Sequence, residues 1–146
     1  MTTMNESDEL FVPENDLEEK LISAQRGELS PDEFLSFLLE SDLFVPSATP
    51  VGDDMAGATP LLYEREGKML LTVFTALNRA KVVQSKASYC LSINGRELLL
   101  RMPPKHGIVV NPCYRIGLEI DPEAVLDLKV KARQIQISSV PNSGQP

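Results

Sequence analysis

The sequence is poor in the residues on which most catalytic sites depend. It contains one histidine, two cysteines and no tryptophan, and aromatic residues make up 5% of it. Nucleophile–base catalysis needs a base that titrates near neutral pH, and His106 lies in a Pro-Pro-Lys-His-Gly turn with no nucleophile motif around it. Sugar clefts need aromatic faces for stacking, and few are present. The sequence therefore predicts a protein that is not an enzyme.

Motifs for metal ions and phosphates are missing as well. The eight glycines are scattered, and none opens a helix in a phosphate-binding pattern. Asp53 and Asp54 are adjacent acids in a loop, but they lack the alternating ligands and terminal Glu of a calcium loop. Cys90 and Cys113 have no metal-ligand spacing, and two buried free thiols are the expectation rather than a disulfide. We expect neither a metal nor a cofactor.

Long apolar runs are also missing. No segment approaches the roughly 18 consecutive apolar residues of a membrane span. The first ten residues have neither the basic region nor the apolar region of a secretory signal. These features favour a cytoplasmic protein that does not contact the membrane.

Basic residues are scarce in the first half of the chain. Residues 1–66 hold 16 Asp and Glu against 3 Lys and Arg, a charge of −13, and residues 67–146 hold 5 against 11, a charge of +6. Either the two halves pack together and partly neutralise each other, or the acidic half faces outward as a docking surface for a basic partner. Nucleic acid is disfavoured as a partner because an acidic protein repels phosphates.

Local signals in the first half predict two helices and a strand. A helix is expected from Asn15 until Gly27, and Ser30 opens a second helix through a capping box with Glu33. A short strand at 43–45 is expected to stop at Pro46. The segment 46–60 has loop composition throughout, and a loop of that length is either functional or disordered.

The second half alternates strand and helix signals. Glu66-Gly67 predicts a β-hairpin, Thr75 is expected to cap a helix through Val83, and Asn94 to cap another that reaches Met102. Further elements are an extended stretch at 89–91, strands at 107–111 and 116–120, and a helix from Asp121 that residues 129–137 either extend or follow as a strand. The prediction is a single α/β (α+β) domain over residues 11–137, with a small mixed or antiparallel sheet flanked by helices. Residues 1–10 and 138–146 are expected to be disordered.

One stretch carries a family resemblance. Residues 96–112, which end in Gly-Ile-Val-Val-Asn-Pro, and residues 116–120, which read Ile-Gly-Leu-Glu-Ile, resemble the SseB N-terminal-domain family. The order of elements upstream is also similar, so the resemblance covers about residues 11–130. Asn111 and Pro112 suit a turn, and Gly117 permits close packing in the return strand. The resemblance implies a mixed α/β domain in a bacterial cytosol, close to secretion or toxin systems, with these three residues as scaffold.

Two functional hypotheses follow from the sequence. The first is a non-catalytic binding protein, such as an immunity or adaptor protein, that docks another protein with a basic surface through Asp42, Asp53, Asp54 and Met55. The alternative is a small regulatory domain that senses a metabolite in an apolar pocket between sheet and helices. The oligomeric state is left open by the sequence.

Overall fold

The structure, a computed structural model, describes residues 11–50 and 57–144, with side chains as far as residue 134. Three of the predicted contact residues, Asp53, Asp54 and Met55, lie outside the described residues. So does the segment 1–10, for which the sequence predicts disorder.

Five helices and six strands form a mixed α/β domain, as predicted. In chain order they are α1 (Asp16–Gln25), α2 (Pro31–Leu39), β1 (Asp42–Ser47), β2 (Leu62–Arg65), β3 (Lys68–Val73), a 3₁₀ helix (Leu77–Val83), β4 (Tyr89–Asn94), α3 (Gly95–Arg101), β5 (His106–Val110), β6 (Leu118–Ile120) and α4 (Pro122–Gly144).

The first two helices begin at the residues that the sequence indicates. The side chain of Asn15 accepts a hydrogen bond from the Glu18 N–H, and Gly27, after the end of α1, has a φ of 78°. At α2 the capping box is complete, because the Ser30 hydroxyl accepts from the Glu33 N–H and the Glu33 carboxylate accepts from the Ser30 N–H. Such a cap stabilises a helix by about 1 kcal/mol.

The strands form two small sheets. One is the antiparallel pair β1–β4, and the other has the order β2-β3-β5-β6 with a parallel pair at its centre, β3–β5. The predicted hairpin is present, since β2 and β3 join through Glu66 and Gly67, which both have positive φ. A backbone bridge between Phe44 and Phe74 connects β1 to the end of β3 and so joins the sheets.

Strand β1 is longer than predicted, and the expectation that it stops at Pro46 is wrong. Phe44 directs its N–H and C=O away from β4, toward Phe74, and Pro46 lies two residues further on. The nitrogen of Pro46 therefore also points away from the β4 ladder, where no hydrogen is needed. The Pro46 carbonyl accepts from the Leu61 N–H instead, so the strand continues through Ser47 into the predicted loop.

Helix α4 resolves one of the alternatives at the end of the chain. The backbone stays helical from Pro122 to Gly144, so residues 129–137 extend the helix and do not form a strand. Its first turn follows the predicted start, since the Asp121 carboxylate accepts from the Ala124 N–H. The helix bounds reach into the segment 138–146, where the sequence predicts a disordered tail.

The core lies between the helices and the inner faces of both sheets. Its fully buried side chains include Phe34, Leu38, Leu43, Leu98 and Ile108, which come from α2, β1, α3 and β5. A smaller cluster around Phe74 is covered by the 3₁₀ helix. Both cysteines are free, as expected, but they are exposed, so the expectation of burial is wrong for both.

Candidate functional site

A groove of about 380 Å³ opens where the start of α1, the end of α2 and the start of β1 meet. Asp16, the first residue of α1, and Asp42, the first of β1, lie on its rim, and both are exposed. Among the described residues, these two carboxylates of the groove rim have no ion-pair partner. The lining of the groove consists of Asn15, Asp16, Leu17, Phe37, Ser41, Asp42 and Phe44.

The apolar part of the groove comes from two half-buried aromatic rings, Phe37 of α2 and Phe44 of β1. Phe44 is held by its paired backbone hydrogen bonds to Phe74. The Ser41 hydroxyl donates to the Phe37 carbonyl and closes the end of α2. Nζ of Lys20 lies 5.6 Å from the centre of the Phe37 ring. Aromatic surface between carboxylates suits a ligand that carries both apolar and cationic groups.

A buried ion pair lies behind the groove. Glu18 of α1 is fully buried, and its two oxygens accept hydrogen bonds of 3.0 and 2.8 Å from Nε and Nη2 of Arg79 in the 3₁₀ helix. Thr75 donates a third hydrogen bond, of 2.5 Å, to the same carboxylate. Burial of a charge is costly unless the charge is paired and hydrogen-bonded, and this carboxylate is both.

The environment of Glu18 changes the pKa of both partners. Burial by itself would raise the pKa of the Glu18 carboxyl, but the hydrogen bonds from Arg79 and Thr75 outweigh it and hold that pKa below its ordinary value. The hydrogen bond to Glu18 likewise raises the pKa of the Arg79 guanidinium, against the opposing effect of burial. The pair is therefore charged at neutral pH.

Aromatic rings enclose the guanidinium of Arg79. The ring of Phe11 stacks on it at 3.8 Å, and the ring centre of Tyr114 is 5.4 Å away. The Tyr114 hydroxyl donates to the Arg79 carbonyl, and Nη2 of Arg79 donates to the Val12 carbonyl at 2.7 Å. The segment before α1 is thus held to the 3₁₀ helix by Arg79, and by Asn78, whose side chain donates to the Glu14 carboxylate.

The predicted turn joins the same network. Asn111 is buried with a φ of 55°; its Nδ2 donates to the Thr75 hydroxyl and its Oδ1 accepts from the Thr75 N–H. The prediction that Thr75 caps the next helix is wrong. Its hydroxyl donates to Glu18 and accepts from Asn111, and the 3₁₀ helix begins after Ala76 without a side-chain cap. Asn15 reaches the network from the groove by donating to the Thr75 carbonyl.

Gly117 fits the scaffold role given to it. A Cβ at this position would meet the carbonyl oxygen of Val110 and lie 3.0 Å from that of Asn111. Only glycine allows β6 to approach the end of β5 so closely. Pro112 lies between Asn111 and Cys113, both with positive φ, and fixes the backbone of the turn. The turn thus places the Asn111 side chain in the buried network.

Asp42 is the one predicted contact residue among those that the structure describes, and it lies on the groove. The packing of acidic onto basic segments is also present, because Glu14 and Glu18 approach Arg79, and Glu40 pairs with Arg96. Neutralisation is partial, since it leaves Asp16 and Asp42 unpaired within the described chain. The predicted neutralisation between the two halves is therefore present in part, and docking of a basic partner stays a prediction.

Sequence reasoning missed the buried network. Glu18 and Arg79 are 61 residues apart, and Glu18 has the appearance of an ordinary acid in the first turn of a helix. One signal was available, because Glu18 follows Leu17 on the side of α1 that also presents Leu21. An acid on the apolar side of a helix indicates either that the predicted orientation of the helix is wrong or that the acid has a buried partner.

The described residues contain neither a cluster of metal-ligating side chains nor a helix that could span a membrane. No group of three or more His, Cys, Asp or Glu side chains there is close enough to hold a metal ion. In the same part of the chain, no helix is both long and apolar enough to span a membrane.

The fold and the site define a small mixed α/β domain with a polar buried network under an acidic groove. A family model described as the SseB protein N-terminal domain matches residues 17–127, which is most of the chain. The chain therefore belongs to the SseB N-terminal-domain family, as the Asn-Pro and Gly-Leu-Glu segments suggested. No curated protein and no solved structure matches the chain.

Proposed function

We propose that this chain is a non-catalytic protein-binding domain whose groove receives a cationic segment of another protein. The observation that carries the proposal is that two exposed carboxylates, Asp16 and Asp42, which have no ion-pair partner among the described residues, line the same groove as the Phe37 and Phe44 rings. A basic side chain bound there would gain from both acids, and an apolar neighbour would cover the rings. Long-range attraction by the acidic half of the chain would speed the encounter.

Family membership extends the proposal to a biological setting. An immunity or adaptor protein of a bacterial secretion or toxin system, acting in the cytoplasm, would need such a surface to mask or carry a basic partner. The support for this setting is the family and the acidic groove together, and the partner itself has to be found by experiment.

The test compares two isosteric variants in capture from cells of the native host. The double variant Asp16→Asn/Asp42→Asn removes both groove charges, and Asp127→Asn removes one charge from an exposed position on α4 as a control. We expect a partner that wild type and Asp127→Asn retain, that the double variant loses, and that moderate salt releases. Equal capture by all three proteins, or capture insensitive to salt, would refute the groove as the docking site.

A second candidate function rests on a different cavity. A mainly apolar pocket of about 360 Å³ lies between α1, α2, β6 and the start of α4, and Phe34, Leu35, Leu118 and Ile120 are among its lining residues. Its size lies within the range of small-molecule sites, which favours the metabolite-sensing alternative. A thermal-shift screen against a metabolite panel tests it, because a ligand of the folded state must raise Tm. An unchanged Tm with every compound argues against it.

A further inference from the structure

Strand β4 has one edge that no other described strand covers. It pairs with β1 alone, and Ser92 lies opposite Phe44 in that ladder. In an antiparallel ladder two opposite residues either both bond across it or both point away. Because Phe44 bonds to Phe74 on its other side, Ser92 must also direct its N–H and C=O away from β1. Cys90, two residues earlier, does the same, and the N–H of Asn94 also points away from β1, while the Asn94 C=O accepts the first hydrogen bond of α3.

This edge lacks the features that usually prevent strands from pairing between molecules. Its six residues, Tyr-Cys-Leu-Ser-Ile-Asn, include no charge and no proline. The side chains of Cys90 and Ser92 are exposed. Beside them, Leu77 is 57% exposed and Tyr89 is 46% exposed, and both line a cavity of about 200 Å³ that reaches Cys90. Apolar surface next to an unprotected strand edge is typical of an interface.

The two ends of β4 differ in charge. Exposed Lys81 and Lys86 precede the strand. The other end has an excess of one negative charge, because it carries three acids against two arginines: Glu40, Asp42 and Glu97 with Arg96 and Arg101. Two antiparallel copies of β4 would bring the basic end of each toward the acidic end of the other. The charges at the two ends of β4 therefore favour antiparallel pairing of two copies, whereas parallel pairing would place like charges together.

We propose that the partner of the β4 edge is a second copy of this chain, bound antiparallel about a twofold axis through Ser92. In this register Ser92 faces Ser92 of the second copy, and Cys90 faces Asn94, so that the open N–H and C=O groups of Ser92 gain partners across the twofold axis. The two β1–β4 sheets become one sheet of four strands, in the order β1-β4-β4-β1. A contact in which the same patch is used by both subunits is the commonest way in which soluble proteins pair. The proposal shares the charge of Asp42 with the acidic groove, but the paired backbone of Cys90, Ser92 and Asn94 lies outside the groove lining.

The first test measures mass in solution by sedimentation over a range of protein concentrations. Wild type should reach twice the chain mass of 16.1 kDa. Ser92→Lys should remain at the single-chain mass over the same range, because it places two like charges opposite each other on the axis. Gln134→Lys, which adds the same charge at an exposed position on α4, should behave as wild type. Far-UV circular dichroism checks that all three proteins are folded.

The second test uses Ser92→Cys in a background in which Cys90→Ser and Cys113→Ser remove the native thiols. Opposite residues of a hydrogen-bonded antiparallel pair have Cα atoms about 5.5 Å apart, which a disulfide can span. Mild oxidation should therefore link two chains through position 92, whereas Gln134→Cys in the same background should stay unlinked. A single-chain mass at every concentration, a Ser92→Lys protein that still pairs, or no faster linkage at 92 than at 134 would each overturn the proposal.

Discussion

At the scale of single residues, the Glu18–Arg79 pair controls several parts of the structure at once. Glu18 receives hydrogen bonds from Thr75 and Arg79, and Arg79 in turn holds the Val12 carbonyl. A buried pair of this kind adds little net stability compared with apolar residues of equal volume, but loss of one partner leaves an unpaired buried charge. The pair therefore acts mainly as a fixed connection between α1 and the 3₁₀ helix.

The variant Glu18→Ala should be destabilised by about 3–5 kcal/mol, because Arg79 then stays buried without its carboxylate. Urea unfolding followed by circular dichroism measures the loss. The matched control is Glu19→Ala, an exposed acid in the same helical turn, which should lose less than about 1 kcal/mol. Equal losses in the two variants would show that Glu18 contributes only to the helix dipole.

The pH dependence of the same pair of proteins gives a second readout. The pKa of Glu18 is lowered in the folded chain, so the ionised carboxylate contributes stability that is fully present above its unfolded value, near 4.5. That contribution is lost as the pH falls through the lower folded pKa. The difference in free energy of unfolding between wild type and Glu18→Ala should thus be constant near pH 7 and shrink below pH 4.5. A difference that grows on acidification would contradict the assignment.

At the scale of secondary-structure elements, the β5–β6 turn depends on close contact of two backbones. Gly117→Ala should cost about 1–3 kcal/mol, because its methyl group forces the β6 backbone away from the carbonyl groups of Val110 and Asn111. The control is Gly67→Asn in the β2–β3 hairpin, where the φ is 81° but no atom lies within 4 Å of a Cβ, and asparagine tolerates that φ. Thermal unfolding should show a clearly smaller loss for the control.

The elements that sequence reasoning predicted correctly are those whose signals are local. The capping box at Ser30 and the cap at Asn94 act within three residues, so the sequence alone determines where α2 and α3 begin. Pro46 and Thr75 were assigned wrongly for the opposite reason. The partner of Thr75 is Glu18, 57 residues away, and the tolerance of Pro46 depends on which edge of β1 carries β4. The residues next to Thr75 and Pro46 in the sequence indicate neither the partner of Thr75 nor the edge of β1 that pairs with β4.

The candidate site likewise combines features with a local signal and features that depend on long-range packing. Asp42 could be identified as a surface acid at the end of α2, and Phe44 follows it in the same strand, but its proximity to Asp16 requires that the start of α1 lie near the start of β1. Nothing near Asp16 in the sequence indicates that neighbour. The groove is therefore a consequence of packing, whereas the acidity of its rim can be read from composition.

At the scale of the whole molecule, the boundary of the folded unit lies before the boundary of the family match. The match begins at residue 17, yet Phe11 and Val12 contact the guanidinium of Arg79, and the Glu14 N–H donates to Glu18. The segment 11–14 thus covers a buried charge that belongs to the matched region.

Two N-terminally truncated chains measure how much the segment 11–14 contributes to stability. A chain that begins at Phe11 keeps every described contact to Arg79 and should unfold at the same urea concentration as the full chain. A chain that begins at Asn15 loses the Phe11 ring, worth about 0.5–2 kcal/mol. It also loses the hydrogen bond to the Val12 carbonyl, worth about 1.5–3 kcal/mol for a charged donor. Because water then reaches Arg79, the second chain should lose about 2–4 kcal/mol in total. If both truncated chains matched the full-length protein, Arg79 would be adequately paired by Glu18 alone.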